Sequence, residues 1–177
     1  MLQDVREKLE RRAAALNSMQ FAGVIQKDFS FKKIRAGLGK KEISDWICAS
    51  LGEDFSHAAI YRLTVDNAAG AGRLRSAFAD YNPQNGHVQT RNNNVDDSNT
   101  IYVGSSRKIA QRLRQHLFNC PPSTYALKMH LWCPAADNLL RVEVSAARGD
   151  VDKSLLQYVE DFLWTSSRPM FGKLGAR

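Results

Sequence analysis

Apolar positions along this chain follow two periods, and the places where one gives way to the other mark its elements. From Gln3 to about Ser18 a run rich in Arg, Lys and Glu carries Val5, Leu9 and Leu16 on one side, the spacing of a helix. A second helical stripe, Ile43, Trp46, Ile47 and Leu51, lies in "KKEISDWICASL". Between the two, "FAGVIQKDFSFKKIRAGLG" is apolar without a clear period, and no element is predicted there. From Ala58 to Val65, "AAIYRLTV" changes to the β-branched and aromatic content of a strand.

A stretch rich in Gly, Asn and Asp follows, punctuated by Asn82-Pro83 and Asn85-Gly86. Within it Arg73 to Tyr81 suits a short helix, and "RNNNVDDSN" reads as an exposed loop. A strand resumes over Thr100 to Val103 and turns at Gly104 into a helix capped by Ser105 or Ser106, whose Ile109, Leu113 and Leu117 share one face. The two strands are expected to pair across the long connection, because closing a long loop costs little more entropy than closing a short one. Pro121-Pro122 ends the helix. "YALKMHLW" and "NLLRVEVSA" then read as two further strands separated by "CPAAD". Asp150 or Asp152 caps a last helix reaching about Thr165, with Leu155, Leu156, Val159, Phe162 and Leu163 apolar, and Arg168-Pro169 stops it.

Charge adds a partner to this scheme. The net charge of +7 over 177 residues favours an anionic partner, either nucleic acid or an acidic membrane surface. No apolar run is long enough to span a bilayer, so no membrane association by a spanning segment is expected. "MLQDVREKLERR" lacks the apolar segment of a signal peptide, and the expected localisation is cytoplasmic. Cys48, Cys120 and Cys133 lack the CxxC spacing of a zinc knuckle and read as reduced thiols. Trp46, Trp132 and Trp164 read as core residues. Residues 1–55 are expected to form a helical extension, serving either as packing or as a basic surface for nucleic acid. Residues 56–177 form the domain proper, with an insertion at about 66–99.

Three features bear chemistry. The helix after Ser106 has no acid, and Lys108, Arg112 and His116 form one row at four-residue spacing, able to converge on an anion or to remain a solvated face. Tyr61 and Tyr102 stand on the two strands expected to be neighbours. Glu160 sits on the margin of the apolar stripe of the last helix, where a carboxylate needs a partner: an arginine, or a divalent metal held through oxygen.

"AIY", then "YVGSS", an arginine ten residues beyond the second tyrosine and a histidine four later resemble the GIY-YIG nuclease superfamily. A glutamate on a late helix with a proline nine residues on, Glu160 and Pro169, continues the resemblance, which covers roughly Ala58 to Gly172. Ala59 stands where the family name has its first glycine, and Gly172 where an asparagine is often found. The resemblance implies an α+β fold: a small antiparallel sheet of three to four strands flanked by helices, here with the N-terminal helical extension. It implies a metal-dependent endonuclease that hydrolyses phosphodiester bonds in DNA, duplex by preference. Its catalytic set falls on Tyr61, Tyr102, Arg112, His116 and Glu160, with Glu160 holding Mg²⁺ or Mn²⁺.

In the mechanism so implied, Arg112 binds the scissile phosphate, His116 hydrogen-bonds a tyrosine or the phosphate, and Tyr61 is the favoured base with Tyr102 beside it. Arg107, Lys108, Arg114 and Lys128 are expected to track flanking phosphates, contacts that position nucleic acid without reading it. A homodimer would suit concerted double-strand cuts by a one-site enzyme, but no residue pattern specifies one. Two other readings stand beside the nuclease: a non-cleaving nucleic-acid-binding module on the same fold, and a protein whose basic helix meets an acidic partner.

Overall fold

A computed structural model of the chain describes residues 2–52, 55, 57–83 and 87–175. The expected turn at Asn85-Gly86 lies outside the described residues. In chain order the elements are α1 (Leu2–Ser18), β1 (Ile25–Ser30), α2 (Phe31–Arg35), α3 (Lys40–Leu51), β2 (Ala59–Val65), α4 (Ala68–Asp80), β3 (Thr100–Ser106), α5 (Ile109–Leu117), α6 (Met129–Trp132), β4 (Leu139–Ala146) and α7 (Lys153–Ser167). The fold is α+β, with four antiparallel strands in the order β1-β4-β2-β3, flanked by helices. Among the described residues no helix is long and apolar enough to cross a membrane.

Alternation along the strands decides what each face of the sheet meets. Tyr61, Leu63 and Val65 of β2 and Leu140, Val142 and Val144 of β4 point into the main core, where Ile34 of α2, Ile43 and Ile47 of α3, Leu74 of α4 and Leu113 of α5 cover them. The intervening residues face the other way and pair by charge, Arg62 with Glu143 at 2.7 Å and Arg141 with Asp28 at 2.9 Å. On that side α7 lies against β3, and a smaller cluster of Ala58, Ile60, Val151 and Leu156 fills the space beneath it. Thus β2 is central, while β3 is an edge strand with helices on both sides.

The segment without a predicted period forms β1 and α2. Ser30 ends the strand and caps the helix, its Oγ accepting from Lys33 N at 3.2 Å. Its pattern was hard to read because Phe29 faces one way from the strand, while Phe31 and Ile34 enter the same core from a helix, so no single period spans them. β1 pairs with β4 along its whole length, which puts part of residues 1–55 in the same sheet as residues 56–177. By contrast α1 has no buried residue, and its Val5 and Leu9 are exposed.

Three predicted elements differ in the structure. "YALKMHLW" is not a strand: Lys128 adopts a left-handed φ of 53°, and Met129–Trp132 is one short helix turn. Leu127, Met129 and Trp132 are all buried, and Trp132 Nε1 donates to the Leu127 carbonyl at 2.6 Å, so the chain curls inward instead of alternating. The turn at Gly104 is absent, because β3 continues to Ser106 with Gly104 opposite Tyr61 and Ser106 opposite Ala59. The basic helix therefore begins at Ile109, and neither serine is its N-cap residue, although Ser106 Oγ accepts from Lys108 N at 3.0 Å. On α7, Leu156 is buried but Phe162 is 66% exposed, because it lies about 120° around the helix from the side that meets β3.

Candidate active site

Tyr61 and Tyr102 reach the same face of the sheet because Leu63 stands opposite Tyr102 in the β2–β3 ladder, making the two tyrosines diagonal neighbours. Their rings are stacked with centroids 6.1 Å apart. Gly104, directly opposite Tyr61, leaves the room they need: a Cβ there would lie 2.5 Å from Tyr61 Oη and 2.9 Å from Tyr102 Cε1. The glycine after "YV" is required by close packing, with no special backbone angle involved.

His116 corrects one expectation. It is fully buried, behind both tyrosines, instead of completing an exposed row with Lys108 and Arg112. Its Nδ1 accepts the Leu127 backbone N–H at 3.2 Å, and a backbone nitrogen can only donate. Nδ1 is therefore unprotonated, the ring proton is on Nε2, and Nε2–H donates to Tyr61 Oη at 2.9 Å. Arg112 Nε donates to the same oxygen at 3.3 Å, and its Nη1 donates to the Tyr125 carbonyl at 2.9 Å. These contacts fix the guanidinium across the tyrosines. Burial opposes its charge, but Tyr61 and Tyr102 outweigh that effect and raise its pKa. The phenol of Tyr61 is itself raised above its ordinary value, first by burial and then by Tyr102, with Arg112 pulling the other way.

Glu160 finds a hydroxyl as partner. Ser105 Oγ donates to its Oε2 at 2.5 Å. Because Ser105 and Gly104 point to opposite faces of an edge strand, the site wraps around the end of β3: tyrosines and Arg112 on one side, Ser105 and α7 on the other. The result is a cleft of about 240 Å³ whose lining includes Tyr61, Tyr102, Arg112 and Glu160, four of the five predicted residues, with the fifth immediately behind. A cavity of about 260 Å³ beside the sheet is lined largely by apolar residues, among them Val24, Ile60, Val103 and Leu163, and offers a phosphate little.

Lys153 and Gln157 also line the cleft. They were missed in the sequence, where the usable signal is their spacing: seven and three residues before Glu160, they share its helix face. The phosphate-tracking set needs correction. Arg107 is paired with Asp150 at 2.8 Å and donates to the Val151 carbonyl at 3.0 Å, fastening the approach to α7. Lys128 is buried, and its ammonium donates to the carbonyls of Val88 and Pro122, so burial with fixed acceptors removes it from any phosphate. Lys108 is exposed and Arg114 half-buried, both beside a groove between α3 and α5.

Among the described residues there is no group of three or more His, Cys, Asp or Glu side chains able to hold a metal. The cleft nevertheless offers hard oxygen donors, the Glu160 carboxylate and the hydroxyls of Ser105 and Ser106. Such a set fits a Mg²⁺-like ion that keeps most of its waters and takes one carboxylate from the protein. The three cysteines are unpaired. Compared with family models, curated proteins and solved structures, the chain matches none of them.

Proposed function

We propose that this chain is a metal-dependent endonuclease that hydrolyses phosphodiester bonds in DNA, on the plan of the GIY-YIG nuclease superfamily. The observation that carries the reading is convergence: Tyr61, Tyr102, Arg112 and Glu160, spread over a hundred residues and four elements, line one cleft.

The chemistry follows from what each side chain is given. Uncatalysed phosphodiester hydrolysis is slow because hydroxide must approach an anion and more negative charge develops on the way. Arg112, held by Tyr125 and Tyr61, presents a permanent cation to the scissile phosphate and to the charge that develops on it. Tyr61 Oη accepts from His116 and Arg112, two donors that favour its phenolate, and takes the proton of the attacking water. Tyr102 packs on both Tyr61 and His116 and keeps them in register. Ser105 orients the Glu160 carboxylate, which would hold Mg²⁺ or Mn²⁺. Held there, such an ion would supply Lewis-acid stabilisation of the negative charge that develops during cleavage. Lys153 adds a second cation to the cleft wall.

The test is incubation with supercoiled plasmid, with and without Mg²⁺ or Mn²⁺. Metal-dependent nicking is expected, and Arg112→Ala and Glu160→Ala should each lower it by at least about a hundredfold while circular dichroism stays that of the folded protein. Full activity in either variant refutes the assignment. One feature favours the non-cleaving module: Gly172 has φ of 118°, and a Cβ there would lie 3.1 Å from the Tyr102 ring, so a side chain at that edge of the site would be strained. DNA binding without nicking by the unmodified protein would select that second reading.

A further inference from the structure

Most of the surface arginines are already committed. Arg62, Arg107, Arg141 and Arg168 each hold a carboxylate within 2.9 Å. Arg91 and Lys173 are different: both are exposed, and neither has a carboxylate within 4.0 Å among the described residues. Both also meet Tyr125. The Arg91 backbone N–H donates to Tyr125 Oη at 3.1 Å, and Lys173 Nζ stands 5.2 Å from the centre of the Tyr125 ring. The carbonyl of that same tyrosine accepts from Arg112 at 2.9 Å. A further bond, from Gly172 N to the Arg91 carbonyl at 3.0 Å, ties the two cation-bearing segments together. One residue therefore touches the guanidinium inside the cleft, the backbone of Arg91 and the ammonium of Lys173.

We infer that Arg91 and Lys173 form a second phosphate subsite, which receives the backbone phosphate next to the scissile one on the Arg112 side of the cleft. The inference rests on the phosphodiesterase reading and deepens it: the substrate is a continuous nucleic-acid strand, engaged through at least two consecutive phosphates. Tyr125 is the common neighbour: its carbonyl holds the Arg112 guanidinium, its hydroxyl fixes the Arg91 backbone, and its ring lies beside the Lys173 ammonium. The subsite replaces Arg107 and Lys128 in the phosphate track. Like them it positions the strand without reading bases.

Arg91 is anchored through its backbone N–H and C=O, so Arg91→Ala removes the charge and leaves the anchors; Lys173→Ala trims an exposed side chain. The experiment measures fluorescence anisotropy of a labelled duplex in the absence of divalent metal, from about 50 to about 200 mM KCl. Wild-type affinity should fall steeply with salt. Each alanine variant should weaken binding and make the slope of log affinity against log salt shallower by about one, and the double variant by about two. Lys173→Arg should keep the wild-type slope. A double variant with wild-type affinity and slope overturns the subsite, as does a wild type that fails to bind at the lowest salt. Plasmid nicking by the wild type is scored separately. A shallower slope in a protein that does not cut sustains the subsite and removes the phosphodiesterase reading; cutting with an unchanged slope does the reverse.

Discussion

The oxygen of Tyr61 receives hydrogen bonds from His116 and Arg112, while burial and Tyr102 hold its proton in place. Since its value is raised, Tyr61 stays protonated through the neutral range, and the small phenolate fraction grows as pH rises. If Tyr61 Oη is the base, single-turnover nicking should increase about tenfold per pH unit across the neutral to mildly alkaline range. A rate that does not change with pH across that range would sink the assignment, and His116 would be the next candidate base. The geometry opposes that outcome, because protonating Nδ1 would break its bond from Leu127. Spacing and resemblance singled out Tyr61, Tyr102, Arg112 and His116 in the sequence. The burial of His116 was not legible there, since a lone histidine on a basic helix reads equally well as surface.

α7 carries three of the residues lining the cleft, so the security of its first turn bears on the site. Asp152 caps it, accepting from Ser154 N at 2.8 Å and Leu155 N at 3.3 Å. The Ser154 hydroxyl and then these backbone donors hold the Asp152 carboxyl below its ordinary value of 3.8. A depressed folded value means that the cap's contribution is complete above 3.8 and is lost as pH falls through the folded value. Asp152→Ala should therefore melt at a lower temperature than wild type at neutral pH, and the gap should close in acid; a pH-independent gap in thermal melts would contradict the cap. The cap was readable from the sequence. The length of β3 was not: a glycine followed by two serines imitates a turn, and only the ladder with β2 shows that Gly104 is a strand residue made small for Tyr61.

At the scale of the whole molecule, the N-terminal third divides by burial. α1 contributes no buried side chain, whereas Phe29, Phe31, Ile34, Ile43 and Ile47 lie in the main core. A chain starting at Met19 should unfold cooperatively with stability within about 0.5 kcal/mol of the full chain, because what is lost is solvated surface. A chain starting at Ser56 should not fold, since it lacks the partner of β4 and one wall of the core. Chemical denaturation of both checks this. A stable second fragment would restore residue 55 as a true boundary.

Local pattern was enough to specify that this chain has strands around Tyr61 and Tyr102, helices bearing Arg112 and Glu160, and a basic surface, because hydrophobic period, caps and side-chain chemistry act over a few neighbouring residues. Which cations remain available to an anion was decided only in three dimensions. Arg107 and Lys128 look like Arg91 and Lys173 in the sequence, but the first two met a carboxylate and a pair of carbonyls from distant parts of the chain, whereas the second two have no carboxylate within 4.0 Å among the described residues. A side chain's charge is intrinsic; its freedom to bind depends on contacts that only folding brings within reach.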